Sequence, residues 1–127
     1  MRLLVTGGRD YLDREAVRLA LSEIHPLPEI LIHGAARGAD TLAADEAKKL
    51  GIPRKPYPAN WRPNGILDYG AGHKRNQQMI DEGKPTHLLA FPGGTGTADM
   101  TRRCVKAGIP VRRVSSQQET IEIKCKK

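Results

Sequence analysis

Short apolar runs alternate with amphipathic segments along this chain, and the alternation predicts its secondary structure. Runs of four or five residues, most of them rich in Leu, Ile and Val, predict strands at Arg2–Thr6, Glu29–His33, Arg54–Tyr57, His87–Phe91 and Val111–Val114. Apolar residues at helical spacing predict helices at about Asp13–Ile24, Thr41–Leu50, Tyr69–Glu82 and Ala98–Ala107. This alternation indicates a single α/β domain whose mainly parallel β-sheet is flanked by helices.

Glycine-rich loops follow three of the predicted strands, at 7–10, 34–40 and 93–99. Because the carboxyl ends of parallel strands share one edge of the sheet, we expect these loops to converge there, where ligands bind in such folds. The turn that contains Gly93, Gly94 and Gly96 would also offer free N–H groups and the positive end of a helix dipole, which suits a phosphate. The alternative is that these glycines only form a tight strand-to-helix turn.

Charge points to an anionic partner. The net charge is +7, which suits a nucleotide, a phosphorylated sugar or nucleic acid. Arg9 and Arg37 lie inside glycine-rich loops, where a guanidinium would meet phosphate oxygens. The last strong strand prediction ends at Val114, and we expect a domain over 1–114 followed by a basic tail, which carries part of the excess charge, or by an extra edge strand at about 120–123.

The helix expected over Tyr69–Glu82 supplies a third candidate cation, Arg75. Arg75 precedes Met79 by four residues, so it lies one turn before the apolar stripe on nearly the same face. A helix that returns to the sheet starts at the ligand edge, and Arg75 and Asn76 should therefore point toward the pocket. The alternative is a surface arginine that pairs with acidic residues of its own helix, Asp81 or Glu82.

Other candidates have two readings each. Asp40 and Asp99 follow glycine loops, where either would cap a helix. The alternative for Asp99 is that it holds a ribose hydroxyl or acts as an acid–base group. His33 and His73 lack the spacing of a metal pair and are expected to be structural. Trp61, the single tryptophan, would stack on a base or cover the end of the core.

Several classes of protein are disfavoured. No apolar run approaches the length of a membrane span, and the N-terminal run is too short for a signal peptide. Cys104 and Cys125 lack the spacing of a disulfide framework or a zinc site. We therefore expect a cytoplasmic protein without a cofactor or a bound metal. The motifs of P-loop NTPases, of ordinary dinucleotide-binding folds and of serine hydrolases are also missing.

The segment Pro92–Thr97, P-G-G-T-G-T, resembles the P-G-G-x-G-T signature of the LOG proteins in the SLOG superfamily. The whole pattern is more similar to the small YAcAr-type SLOG proteins, frequent in phages and bacteria. Its other marks are V-T-G-G-R-D at 5–10, H-G-A-A-R-G-A-D at 33–40, Y-P-A-N-W at 57–61 and A-G-H-K-R-N at 71–76. The resemblance implies a Rossmann-like fold that binds a nucleotide-derived ligand through Gly7, Gly8, Arg9, Gly34, Ala35, Arg37, Gly38, Asp40, Trp61, Arg75, Asn76, Pro92, Gly93, Gly94, Thr95, Gly96 and Thr97.

The resemblance also implies two activities. LOG enzymes cleave the bond between base and ribose 5′-monophosphate with an arginine, which Arg75 matches, and a glutamate, whose position is Met100 here. Asp99 is displaced from that position by one residue, about 100° on a helix. Residues 34–43 are similar to a segment of DprA-type proteins, which bind single-stranded DNA, although Ala44 replaces their histidine.

Three hypotheses follow, in this order. The first is a nucleotide-binding or ADP-ribose-binding sensor or sequestering module, with phosphate on the amides of 93–97. The second is a nucleotide N-glycosidase that uses Arg75 with Asp99 or Asp40. The third is DNA binding. By analogy with LOG-like relatives, we also expect a homo-oligomer.

Overall fold

A computed structural model of the chain describes residues 1–115 and the backbone of residues 120–122. Its strands are β1 (Arg2–Thr6), β2 (Ile30–His33), β3 (Arg54–Pro56), β4 (His87–Ala90), β5 (Val111–Val114) and β6 (Thr120–Glu122). Its helices are α1 (Arg14–Ser22), α2 (Ala39–Lys49), α3 (Ala71–Gly83) and α4 (Thr95–Lys106), with a 3-10 turn at Pro63–Gly65. The strand order is β3-β2-β1-β4-β5-β6; β6 pairs antiparallel with β5, and the other neighbours are parallel.

Side chains alternate between the two faces of the sheet, and each face is covered by a pair of helices. Leu3 and Val5 of β1 join the core that includes α1 and α2. Leu4 points to the opposite face and joins the core that includes Met79 of α3 and Met100 of α4. Burial on both faces explains why the central strands are continuous apolar runs. The predicted α/β class is therefore confirmed.

Two helices begin earlier than the sequence predicts. Helix α2 starts at Ala39 rather than Thr41, and α4 starts at Thr95 rather than Ala98. The amide of Ala98 already donates to the carbonyl of Gly94 at 3.0 Å, so residues 95–97 form the first turn of α4 instead of a loop. Because the free amides of a helix belong to its first turn, the free amides of α4 lie at residues 95–97.

The two edges of the sheet are formed by its shortest strands. The strand β3, which follows Pro53 and contains Pro56, lies at one edge, where proline is tolerated. The strand β6 lies at the other edge, within the β segment considered for residues 120–123, although Ile123 is outside the described residues. The division at residue 114 stays a prediction. In the described part of the chain, no helix is long and apolar enough to cross a bilayer.

Candidate functional site

A cavity of about 470 Å³ opens at the carboxyl edge of the sheet. The ends of β1, the loop after it, and the beginnings of α3 and α4 enclose it. Its lining residues are Val5, Thr6, Gly7, Gly8, Arg9, Ala36, Asp40, Trp61, Tyr69, Gly72, His73, Arg75, Asn76, Met79, Gly94, Thr95, Gly96 and Thr97. The convergence expected from a parallel sheet therefore produces a cavity.

The first turn of α4 presents unpaired backbone donors to this cavity. Gly94 is the N-cap and supplies no side-chain hydrogen bond to the helix. Within the described part of the chain, no acceptor takes the amide protons of Thr95, Gly96 or Thr97. Such amides carry the positive end of the helix dipole, and here they line an open cavity.

Glycine at 94 and 96 is required neither by packing nor by backbone conformation. A Cβ built on either residue meets no atom within 4 Å, and neither has a positive φ. Gly94 has φ −100°, and Gly96 lies inside α4. Both residues line the cavity. The missing side chains leave the amides of this turn accessible to a ligand at close range.

The other loop glycines are explained by the protein's own packing. A Cβ on Gly7 would collide with Ala39, and one on Gly93 would collide with the side chain of Thr97. Gly38 has φ +79°, and a Cβ built on it would collide with the carbonyl oxygen of Gly8. These glycines shape the converging loops.

Arg75 ties together two loops that border the cavity. Its Nη1 donates to the carbonyl of Gly34 at 2.6 Å and to that of Tyr57 at 3.4 Å, and its Nε donates to Asn76 Oδ1 at 3.2 Å. It does not pair with the acidic residues at the end of its own helix. Burial lowers the pKa of Arg75, while the nearby Asp40 opposes that shift.

Asp40 is a buried carboxyl in the cavity wall. Its Oδ2 accepts from the amides of Gly34 at 3.0 Å and Ala36 at 3.3 Å, so it fastens the loop before α2. Burial raises the pKa of Asp40 to about 6, against the opposing effects of the Ala36 amide and Arg75. The N-cap of α2 is Gly38, and the reading of Asp40 as a cap is wrong.

Asp99 lies behind the cavity wall in a network that joins α3 and α4. Its Oδ2 accepts from Arg103 Nε at 2.8 Å and from Asn76 Nδ2 at 3.0 Å, and its Oδ1 lies 3.0 Å from His73 Nδ1. Burial would raise the pKa of Asp99, but the donors, Arg103 first, hold it at about 2. Its position, four residues after the start of α4, also excludes capping.

Arg9 and Trp61 form the outer wall. The Arg9 guanidinium carbon lies 5.3 Å from the centre of the Trp61 ring, a cation–π distance. Both residues also line an adjoining cavity of about 370 Å³, which Arg37 borders as well. The Arg37 side chain is 75% exposed and pairs with Asp10 at 3.3 Å. Arg37 does not line the main cavity.

The cavity thus contains part of the set predicted from sequence. Gly7, Gly8, Arg9, Asp40, Trp61, Arg75, Asn76, Gly94, Thr95, Gly96 and Thr97 line it, whereas Gly34, Ala35, Arg37, Gly38, Pro92, Gly93 and Asp99 do not. Gly34, Ala35 and Arg37 line the adjoining cavity. His33 is structural as expected, since its Nδ1 accepts from the Ala35 amide at 3.0 Å.

Sequence reasoning missed several lining residues, among them Thr6, Ala36, Tyr69, Gly72 and His73. The only feature of the sequence that indicates a site role for Thr6 is its position at the end of β1. Gly72 is explained by contact with Trp61, whose ring lies 3.2 Å from a Cβ built there. In the described residues, no group of His, Cys, Asp and Glu side chains has the geometry of a metal site.

Two comparisons with known proteins bear on this site. The model of a family described as YAcAr, the YspA, cpYpsA-related SLOG family, matches residues 1–63. The Gene 61 protein of Mycobacterium phage D29 is 38% identical over 120 residues, which covers 87% of this chain and 93% of that protein. The family match includes two of the loops that converge on the cavity, and the phage relative spans most of the chain.

Proposed function

This chain belongs to the YAcAr family of SLOG proteins, and from that membership and the shape of its cavity we propose that it binds a nucleotide or a nucleotide-derived ligand. Membership suggests nucleotide-related binding or processing. The observation that carries the proposal is the first turn of α4, where unpaired amides and two unconstrained glycines, Gly94 and Gly96, face a cavity. A phosphate there gains charge-assisted hydrogen bonds from backbone N–H groups.

The charges around the cavity favour the same class of ligand. Arg9 and Arg75 line it, and they would balance the charge of a second phosphate or grip ribose oxygens. The Asp99 carboxylate is neutralised by Arg103 and its other donors behind the wall. Asp40 is protonated more readily than an ordinary carboxyl, with a pKa of about 6. The side chains that line the cavity therefore carry a net positive charge.

The dimensions of the site favour an extended ligand such as ADP-ribose. The cavity of about 470 Å³ has the volume of a small-molecule site. It shares Arg9, Trp61 and Arg75 with the adjoining cavity of about 370 Å³. A nucleotide that fills the first cavity would stack its base on Trp61, and a second group would extend into the adjoining space. We propose a sensor or sequestering role for such a binding module.

The proposal is tested by mass spectrometry of small molecules released from the purified protein, followed by calorimetric titration with AMP, ADP, cyclic nucleotides and ADP-ribose. Arg9→Ala and Arg37→Ala form a matched pair, because both remove one arginine but only Arg9 lines the main cavity. For AMP, we expect Arg9→Ala to weaken binding at least tenfold and Arg37→Ala to change it less than threefold, because Arg37 lines only the adjoining cavity. No binding across the panel, or equal losses in both variants, would contradict the proposal.

A second candidate, cleavage of the base–ribose bond of a nucleoside monophosphate, is favoured by Asp40. Its Oδ2 is held by two amides, while its Oδ1 has no hydrogen-bond partner in the described residues, and the side chain lines the cavity. A carboxyl with a pKa of about 6 suits acid–base chemistry. Release of free base from AMP, GMP, CMP or UMP that is lost in Asp40→Asn would support hydrolysis; intact nucleotides after long incubation would exclude it.

Three other expectations remain proposals. A homo-oligomer is tested by light scattering, and a cytoplasmic location by imaging of the tagged chain. Binding of single-stranded DNA predicts a gel shift that weakens steeply with salt, because phosphate contacts release counterions. A shift that is absent or independent of salt would remove that idea.

A further inference from the structure

His73 lines the cavity, and neither the sequence nor the proposed phosphate site gives it a role. It is the third residue of α3, and its side chain is 53% exposed. Thr95 and Gly96, from the first turn of α4, line the same cavity. The imidazole and the unpaired amides of this turn therefore border one cavity.

Asp99 determines which ring nitrogen of His73 carries the proton. The carboxylate lies 3.0 Å from His73 Nδ1 and is only 3% exposed. Its donors, Arg103 first, hold the pKa of Asp99 at about 2 despite burial, so the group is ionised at neutral pH. A carboxylate can only accept hydrogen bonds. Nδ1 is therefore the donor, and the neutral imidazole keeps its lone pair on Nε2.

The ring is also held in place. Asp99 is fixed from α4 by Arg102 and Arg103, whose nitrogens lie 3.0 and 2.8 Å from its oxygens. Asn76 donates to Asp99 at 3.0 Å and to the carbonyl of Gly96 at 3.3 Å. Through Asp99 and Asn76, these hydrogen bonds connect the Nδ1 side of the imidazole to the first turn of α4. Nε2, on the opposite side of the ring, has no hydrogen-bond partner among the described residues.

We propose that His73 is a ligand-contacting residue whose Nε2 faces the phosphate bound at the start of α4, with Asp99 as its positioning residue. The inference rests on the proposed function. A neutral imidazole offers the phosphate a lone pair, whereas an imidazolium donates a hydrogen bond and adds a positive charge. Affinity for the anionic ligand should therefore rise as the ring gains its second proton.

Other charged groups near His73 must be separated from this effect. Asp40, whose pKa burial raises to about 6, lines the same cavity. The remaining neighbours are the fixed charges of the two helices and of the cavity wall: Arg102, Arg103, Arg75, Arg9, and Lys74 paired with Asp68 at 2.7 Å. His73→Gln leaves all of them unchanged. Lys74→Gln, which removes an exposed neighbouring cation, is the matched control.

The test is calorimetric titration of ADP-ribose at pH 8 and pH 6, because its diphosphate does not ionise in that interval. We expect the wild-type gain in affinity from pH 8 to pH 6 to exceed the gain of His73→Gln at least threefold, and Lys74→Gln to match wild type. Equal gains in wild type and His73→Gln would overturn the inference while leaving the proposed function intact. If neither ADP-ribose nor AMP binds to wild type, the proposed function fails and the inference fails with it.

A second measurement tests the role of Asp99 without ligand. Long-range 1H–15N spectra of the neutral His73 ring distinguish the two tautomers. We expect the Nδ1–H form in wild type and a mixture in Asp99→Asn, with the pH-dependent gain in affinity reduced in the variant. A wild-type ring protonated on Nε2 would overturn the positioning role.

Discussion

The substitution Gly96→Ala is expected to change stability and ligand binding in opposite directions. Gly96 is the second residue of α4, and a Cβ built there meets no atom within 4 Å. Alanine is favoured over glycine within a helix by about 0.5–1 kcal/mol. Because nothing has to move to accept the methyl group, that preference should appear as added stability in the ligand-free protein.

Ligand binding should change in the opposite direction. A phosphate bound to the amides of Thr95, Gly96 and Thr97 must approach the backbone closely, and Gly96, which would carry the new methyl group, lines the same cavity. A lost hydrogen bond to a charged group costs about 1.5–3 kcal/mol, which corresponds to a tenfold or greater loss of affinity. The separate gain in stability of the ligand-free protein, about 0.5–1 kcal/mol, corresponds to a rise in Tm of roughly 2–4 °C for a chain of this length.

The assay is a thermal melt of each variant without ligand, followed by calorimetric titration with AMP and ADP-ribose. Val105→Ala is the control, because Val105 is an exposed residue of the same helix, outside the cavity. Gly96→Ala should melt at or above the wild-type temperature and bind at least tenfold more weakly, while Val105→Ala should bind normally. A Gly96→Ala protein that binds with wild-type affinity would refute a phosphate site on this turn.

Further predictions concern the rest of the cavity. Burial raises the pKa of Asp40 to about 6, compared with 3.8 in the unfolded chain. The folded state therefore holds the proton more tightly than the unfolded chain. Ionisation of Asp40 lowers the free energy of unfolding by up to about 3 kcal/mol as the pH rises from 4 to 7. Asp40→Asn should therefore be more stable than wild type at pH 7 in urea titrations, and the difference in the free energy of unfolding should shrink toward pH 4.5. A difference that grows on acidification would contradict this prediction. Gly34→Ala would place a Cβ 2.6 Å from the Arg75 guanidinium carbon and should lower stability by about 1–3 kcal/mol together with affinity; a wild-type urea midpoint would show that the contact is dispensable. Trp61 is the single tryptophan, so its fluorescence should change on nucleotide binding, and Trp61→Ala should weaken binding by about 1–3 kcal/mol; unchanged affinity in that variant would remove the stacking role.

The pattern of apolar runs was sufficient to predict the order of strands and helices, because burial on both faces of a parallel sheet makes its central strands continuous. It was insufficient at the starts of helices. Thr95, Gly96 and Thr97 have poor helix propensity, yet they are helical because Ala98 bonds to the Gly94 carbonyl. Helix α4 packs on β4, β5 and α3, and such tertiary packing overrides local helix propensity.

The candidate site was predictable where topology alone determines position and unpredictable where it depends on contacts between helices. The orientation of Arg75 follows from helical spacing, but its acceptors are carbonyls of Gly34 and Tyr57, in loops distant along the chain. His73 was assessed only for metal-ligand spacing, whereas its partner, Asp99, lies in another helix. Such a pair is visible only after α3 and α4 are packed together.

The most direct test of the central claim is a titration of 15N-labelled protein with AMP, followed through its backbone amides. A phosphate on the first turn of α4 predicts that the largest shifts occur at Thr95, Gly96 and Thr97 and that they saturate together with the change in Trp61 fluorescence. Saturable binding whose largest shifts lie on another surface, or an unperturbed α4 at millimolar AMP and ADP-ribose, would contradict the account.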